Sequence, residues 1–149
     1  MQEEYPFVWP VIHISCHEDD NGIRLIDNSY IKWDVLHRML EIINICFEEE
    51  PNSLVLLSMS SCYGLHAIKA DWGNEKSPFA FVLGHEEKIS WDDALIAFFV
   101  FYHNYASKRK TSDIALECMN NSINNPKYFK LFNSKGIYNL FKNFNQSDE

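Results

Sequence analysis

Continuous apolar runs of strand length occur at three places in the chain, residues 8–16, 53–61 and 78–84. Such short runs, bounded by turn residues, are typical of strands that are covered on both faces in a parallel sheet. SLVLLSMSS and PFAFVLG follow this pattern, while the first run ends near Ser15, before the acidic turn EDDNG. The pattern therefore predicts about three main sheet strands.

Helical periodicity separates and follows these runs. Apolar residues recur every three or four positions between residues 33 and 47, which predicts an amphipathic helix. Ser90 is a good N-cap, and a helix rich in apolar residues is predicted after it, over residues 91–110. Further helical patterns occupy residues 111–122 and, in pieces, 125–144.

The order of these elements indicates the fold class. GIRLID and SYIKW predict a short hairpin or an extended excursion after the first strand, and CYGLHAIK predicts a helical turn after the second. Strands that alternate with helices are typical of an α/β protein, with a mostly parallel sheet between helical layers. The length of 149 residues is that of one domain. We expect a single domain over residues 1–144, with C-terminal helices, and a disordered tail at 145–149.

Charge and composition exclude several classes of partner. The net charge of −8 opposes binding to phosphate backbones, so we expect no nucleic-acid partner. The longest apolar stretch is too short to cross a bilayer, so we expect no membrane association. The N-terminal sequence MQEEYPFVWP lacks the apolar region of a signal peptide, and the four cysteines are then expected to be reduced thiols in the cytoplasm.

Two reactive side chains follow predicted strands. His17 comes directly after the first strand, and Cys62 directly after the second. Because the carboxyl ends of parallel strands meet at one sheet edge, neighbouring strands would separate these groups by roughly 5 Å plus side-chain reach. A thiolate is a strong nucleophile, and a nearby histidine can move the protons of amide cleavage. The positions therefore predict a Cys/His dyad.

A metal site is the alternative use of the same segment. HISCH contains His13, Cys16 and His17, and His66 follows Cys62 by four residues. Histidine and cysteine are common zinc ligands. Alternate residues of a strand face opposite sides, however, so His13 and Cys16 point apart and three ligands do not converge. We therefore expect no metal and no other cofactor.

Residues 11 to about 119 resemble the caspase-like cysteine peptidases, above all the bacterial CHAT domains. The resemblance rests on Cys62 in SSCYG, on His17 in ISCHEDDNG 45 residues upstream, and on the element order around them. It implies a caspase/hemoglobinase-like three-layer sandwich and a cysteine endopeptidase that a partner regulates, with Cys62 as nucleophile and His17 as general acid/base. It also implies that the N–H groups of Cys62 and Glu18 stabilise the oxyanion, and that Asp71 lines a pocket for a basic side chain of a protein or peptide substrate.

Two departures from that family change the expectations. Glu18 stands where the family usually has glycine, and a carboxylate there would repel a developing oxyanion. Only ten residues precede Val11 in this sequence, where the family ordinarily has two further strands with helices, so we expect residues 11–15 to form an apolar sheet edge. We expect a second copy of the chain, a partner subunit or the segment EEYPFVW to cover this edge. The alternatives are an inactive pseudo-peptidase that acts as a protein-interaction module and, for Asp71, an ordinary exposed loop carboxylate.

Overall fold

The computed structural model describes residues 10–45, 55–70, 77–124, 128–137 and 139. Their secondary structure comprises, in chain order, β1 (Val11–Ser15), β2 (His17–Asp19), β3 (Gly22–Arg24), β4 (Tyr30–Lys32), α1 (Trp33–Ile45), β5 (Leu56–Ser60), a 3₁₀ helix (Gly64–Ala70), β6 (Phe81–His85), α2 (Trp91–Tyr102), a π-type turn (His103–Ser107), α3 (Ser112–Asn121) and β7 (Phe129–Asn133). The segment EEYPFVW and the predicted tail, 145–149, lie outside the described residues. No helix among the described residues is long and apolar enough to cross a membrane.

The main sheet has four strands in the order β1-β5-β6-β7. β1, β5 and β6 are parallel, and β7 is antiparallel to β6. The predicted α/β class with a mostly parallel sheet is confirmed, and so is the position of β1 at a sheet edge. The predicted hairpin is confirmed in a longer form, since β2, β3 and β4 make a separate antiparallel sheet of three strands.

Helical layers cover both faces of the main sheet, because alternate residues of its strands enter two different cores. Leu57 and Met59 pack in a cluster with Leu36 and Leu40 of α1. Leu56 and Leu83 enter a second cluster, which contains residues of α2, α3 and β7. All five residues of β5 are buried, as the continuous apolar run predicts for a strand between two layers.

The prediction of helical pieces over residues 125–144 is wrong for 129–133, which form the strand β7. Phe129 is buried against α2 and α3, whereas Phe132 packs against the opposite cluster, so the segment follows the two-residue period of a strand. The side chain of Asn120 in α3 fixes the start of β7, because it accepts from the Phe129 N–H (2.8 Å) and donates to the Phe129 carbonyl (3.1 Å). The main sheet therefore has one strand more than the sequence predicts. Residues 134–137 after it are helical.

The helix α2 begins as predicted, because the Ser90 hydroxyl caps it by accepting from the Asp93 N–H at 3.1 Å. It ends as a regular α-helix at Tyr102, and the π-type turn follows. Its buried face consists of alanines and phenylalanines that enter the second cluster. The neighbouring flank is apolar as well but stays open, since Trp91, Leu95 and Phe99 are 53%, 71% and 71% exposed.

Candidate active site

His17 and Cys62 lie at the carboxyl ends of two adjacent parallel strands. Ser15 of β1 pairs with Ser60 of β5, and each reactive residue follows its paired serine by two positions. The side chains of His17 and Cys62 line one cavity, whose far wall includes Trp91. The cavity measures about 20 Å³, which is room for a single water molecule. The two residues that the sequence singles out thus line the same cavity.

A sharp turn after β5 carries Cys62 out of the sheet. Tyr63 has φ +59°, in the left-handed region, and its N–H donates to the Glu87 carbonyl at 2.9 Å. Gly64 follows, and the 3₁₀ helix begins there. A Cβ at Gly64 would lie 2.6 Å from the Met59 carbonyl oxygen, so no larger residue fits without a backbone shift. The glycine after the cysteine turn therefore has a packing reason.

The β2–β3 hairpin holds His17, and Asp20 ties this hairpin to the element that follows Cys62. The Asp20 carboxylate accepts from Lys69 Nζ of the 3₁₀ helix at 2.6 Å. The Asp20 carbonyl accepts from the Trp33 indole at 3.1 Å. The imidazole of His17 meets the Trp91 ring edge-on, with centroids 5.7 Å apart. These contacts set the position of the imidazole relative to the cysteine turn.

Two cysteines line the cavity, but their environments differ. Burial, and secondly the charge of Glu18, raise the pKa of the Cys16 thiol to about 12, so Cys16 stays protonated at neutral pH. The thiol of Cys62 is half-buried and donates to the Ile89 carbonyl at 3.6 Å. Cys16 is thereby unsuited to nucleophilic attack, and Cys62 is the candidate nucleophile.

Glu18 lies beside the site with a carboxyl group that is poorly solvated. Burial raises the pKa of Glu18 to about 8, although the hydrogen bond from the Ser61 hydroxyl to Oε2 (2.9 Å) opposes this shift. Oε1 is buried and has no hydrogen-bond partner among the described residues. The group is therefore mostly neutral at pH 7, and the expected repulsion of an oxyanion applies above about pH 8.

Backbone donors are the other requirement for an oxyanion site. Within the described part of the chain, the Cys62 N–H donates to no acceptor, whereas the next N–H, that of Tyr63, is engaged by Glu87. Cys62 therefore has a free donor beside its thiol. The second expected donor, the N–H of Glu18, belongs to β2, where Glu18 lies opposite Ile23 of β3.

Sequence reasoning missed the third wall of the cavity. Ile89 and Trp91 come from the segment after β6, whose carboxyl end lies at the same sheet edge as those of β1 and β5. The predicted parallel order of the strands could have indicated these residues, because the segment after a third parallel strand also leaves the sheet at this edge. Asp71 lies outside the described residues, so its role in a substrate pocket stays a prediction.

Among the described residues, no three of the histidine, cysteine and acidic side chains are grouped so that they can hold a metal ion. No protein-family model matches this chain, and no curated protein matches it. A function for the site therefore has to be proposed from its geometry and from the residues that form it.

Proposed function

We propose that this protein is a caspase-like cysteine endopeptidase in which Cys62 is the nucleophile and His17 the general acid/base. One observation carries the proposal: the two side chains line the same cavity at the ends of adjacent parallel strands. The element order and the sequences around both residues, which resemble CHAT-type peptidases, support it.

The chemistry requires only groups of this site and water. His17 takes the thiol proton, and the Cys62 thiolate attacks the scissile carbonyl carbon to give a tetrahedral oxyanion. The free N–H of Cys62, with that of Glu18, donates to this oxyanion. His17 then protonates the leaving amine as the C–N bond breaks, and a thioester remains on Cys62. Water, deprotonated by His17, hydrolyses the thioester and restores the thiol.

The neutral state of Glu18 removes one objection to this mechanism. A protonated carboxyl group beside the oxyanion exerts no charge repulsion, and its pKa of about 8 keeps it protonated at pH 7. Catalysis is then expected to fall as the pH rises through about 8, because Glu18 ionises.

Labelling with an electrophilic peptide tests the proposal. Wild-type protein should form a thioether with a peptidyl acyloxymethyl ketone at Cys62, located by mass spectrometry of the digested adduct. Cys62→Ala should abolish the adduct, and His17→Ala should slow it by about 100-fold or more. Cys118→Ala is the matched control, since this half-buried cysteine lies in α3, away from the cavity, and its loss should leave labelling unchanged.

A second candidate function is a non-catalytic interaction module with the same fold. It is favoured by the small size of the cavity and by Glu18 at the place of a glycine. Glu18→Gly separates the two: labelling gained only in this variant favours a peptidase that has lost activity through Glu18. If neither wild type nor Glu18→Gly forms an adduct at Cys62, while the protein remains folded by circular dichroism, the peptidase proposal is wrong.

A further inference from the structure

The free edge of β1 carries hydrogen-bonding groups that β5 does not use. The Pro10 carbonyl accepts from the Leu56 N–H at 3.0 Å, so in β1 the even-numbered residues direct their backbone groups towards β5. By strand alternation, the backbone groups of Val11, His13 and Ser15 point to the opposite side. No strand among the described residues pairs there. This edge is therefore a template for one more strand.

An open apolar flank of α2 lies next to that edge. Trp91, Leu95 and Phe99 recur at four-residue intervals and form one stripe along the helix. This stripe lines a groove of about 460 Å³ whose floor includes His13 and Ser15 of β1. Side chains of a strand added beside β1 would project towards the stripe, because those of His13 and Ser15 already do.

The amount of surface fits a pairing of two identical copies. A whole aromatic side chain has a surface of about 150–250 Å². Scaled by their exposed fractions, the side chains of the stripe and of Val11 together present roughly 400 Å² of apolar surface per copy. Two copies together, with the strand backbone added, reach the ~1,000 Å² that a specific interface needs. A twofold axis perpendicular to the sheet would pair β1 of one copy antiparallel with β1 of the other. The same axis would bring the α2 stripes of the two copies into contact, so each surface is complementary to itself.

We propose that two copies of this chain associate through β1 and the α2 stripe, forming a continuous sheet across the dimer. In this dimer Leu95 and Phe99 of each copy pack over the seam between the two β1 strands. The odd-numbered backbone groups of β1 gain hydrogen bonds across the seam. The inference does not depend on the thiol chemistry, because the dimer contact requires no reaction at Cys62, although Trp91 belongs both to the stripe and to the wall of the cavity.

Sedimentation equilibrium over about 1–100 μM protein tests the proposal. The buffer should contain 0.15 M salt, because charges more than about 8 Å apart are then screened. Wild type should fit a monomer–dimer equilibrium. Leu95→Glu/Phe99→Glu should weaken dimerisation by about 100-fold or more, because two buried anchors become charged. Both residues are 71% exposed in the monomer, so the double variant should fold normally.

Two further variants show whether dimerisation depends on the free edge of β1 and whether any charge added to the surface would weaken it. Val11→Pro removes one N–H from the free edge, leaves the bonds to β5 intact and should also weaken the dimer. Ile26→Glu is the matched control, since Ile26 is fully exposed in the turn between β3 and β4 and should leave dimerisation unchanged. A wild type that is monomeric at every concentration overturns the proposal, whatever else covers the edge. A double variant that dimerises like wild type overturns it as well.

Discussion

Replacement of Glu18 by glutamine is the sharpest test of the protonation state of this half-buried acid beside the cavity. Glu18→Gln keeps the shape of the protonated carboxyl group and removes its titration. Burial raises the pKa of Glu18 from an ordinary 4.5 to about 8, so the folded protein holds this proton more tightly than the unfolded chain does. The stabilising effect of the bound proton is complete below pH 4.5, declines between pH 4.5 and 8, and is gone above pH 8.

The pKa difference sets the size of the effect. At 1.36 kcal/mol per pH unit, the interval between 4.5 and about 8 corresponds to roughly 3–5 kcal/mol of unfolding free energy. Histidines with lowered pKa values, such as His13, also change stability with pH, but they do so equally in both proteins. The free-energy difference between Glu18→Gln and wild type should therefore grow by roughly 3–5 kcal/mol from pH 5 to pH 9.

Urea unfolding, followed by tryptophan fluorescence at pH 5, 7 and 9, measures this difference. The wild type should lose stability across the series relative to Glu18→Gln, with most of the loss complete by pH 9. Glu117→Gln is the control, because it neutralises an exposed carboxylate of α3 and should follow wild type at each pH. A difference between Glu18→Gln and wild type that stays constant from pH 5 to pH 9 would falsify the assignment of a neutral Glu18.

Two substitutions test the packing that positions the site and the sheet. Gly84→Ala should destabilise the protein by about 2–3 kcal/mol in urea unfolding, because its Cβ would lie 2.5 Å from the Gly64 carbonyl carbon; unchanged stability would mean that the cysteine turn adapts easily. Asn120→Ala should cost about 2–3 kcal/mol by the same measurement, because the N–H and carbonyl of Phe129 both lose their side-chain partner; a cost below about 0.5 kcal/mol would show that water replaces it.

The sequence predicts those elements whose pattern of apolar residues is set by the segment itself. The run that becomes β5 contains only apolar residues and serines, with no charged side chain, and α1 repeats its apolar residues with a helical period. The segment that becomes β7 was misassigned because Phe129 and Phe132 are three residues apart, as on one face of a helix. Pairing with β6 and the side chain of Asn120 decide in favour of a strand, and both are distant in sequence.

Some features of the candidate site can also be predicted from the sequence, and others cannot. Cys62 and His17 were predictable, since strand ends and parallel order are readable from the chain. The charge state of Glu18 was not, because it depends on burial between β2 and the segment of Ser61, 43 residues away. Trp91 was missed for a similar reason: its role in the cavity comes from a third strand end and not from a motif.

The segment after β6 also holds the Cys62 thiol and the turn that carries it. Glu87 accepts from the Tyr63 N–H, and Ile89 accepts from the Cys62 thiol, so both bonds come from one short stretch. Ile89 also lines the cavity beside Cys62, which has room for a single water molecule, so few reagents can reach the sulfur through it. Whatever displaces residues 87–89 will therefore release both bonds together, which frees the cysteine turn and opens the cavity beside Cys62 at the same moment.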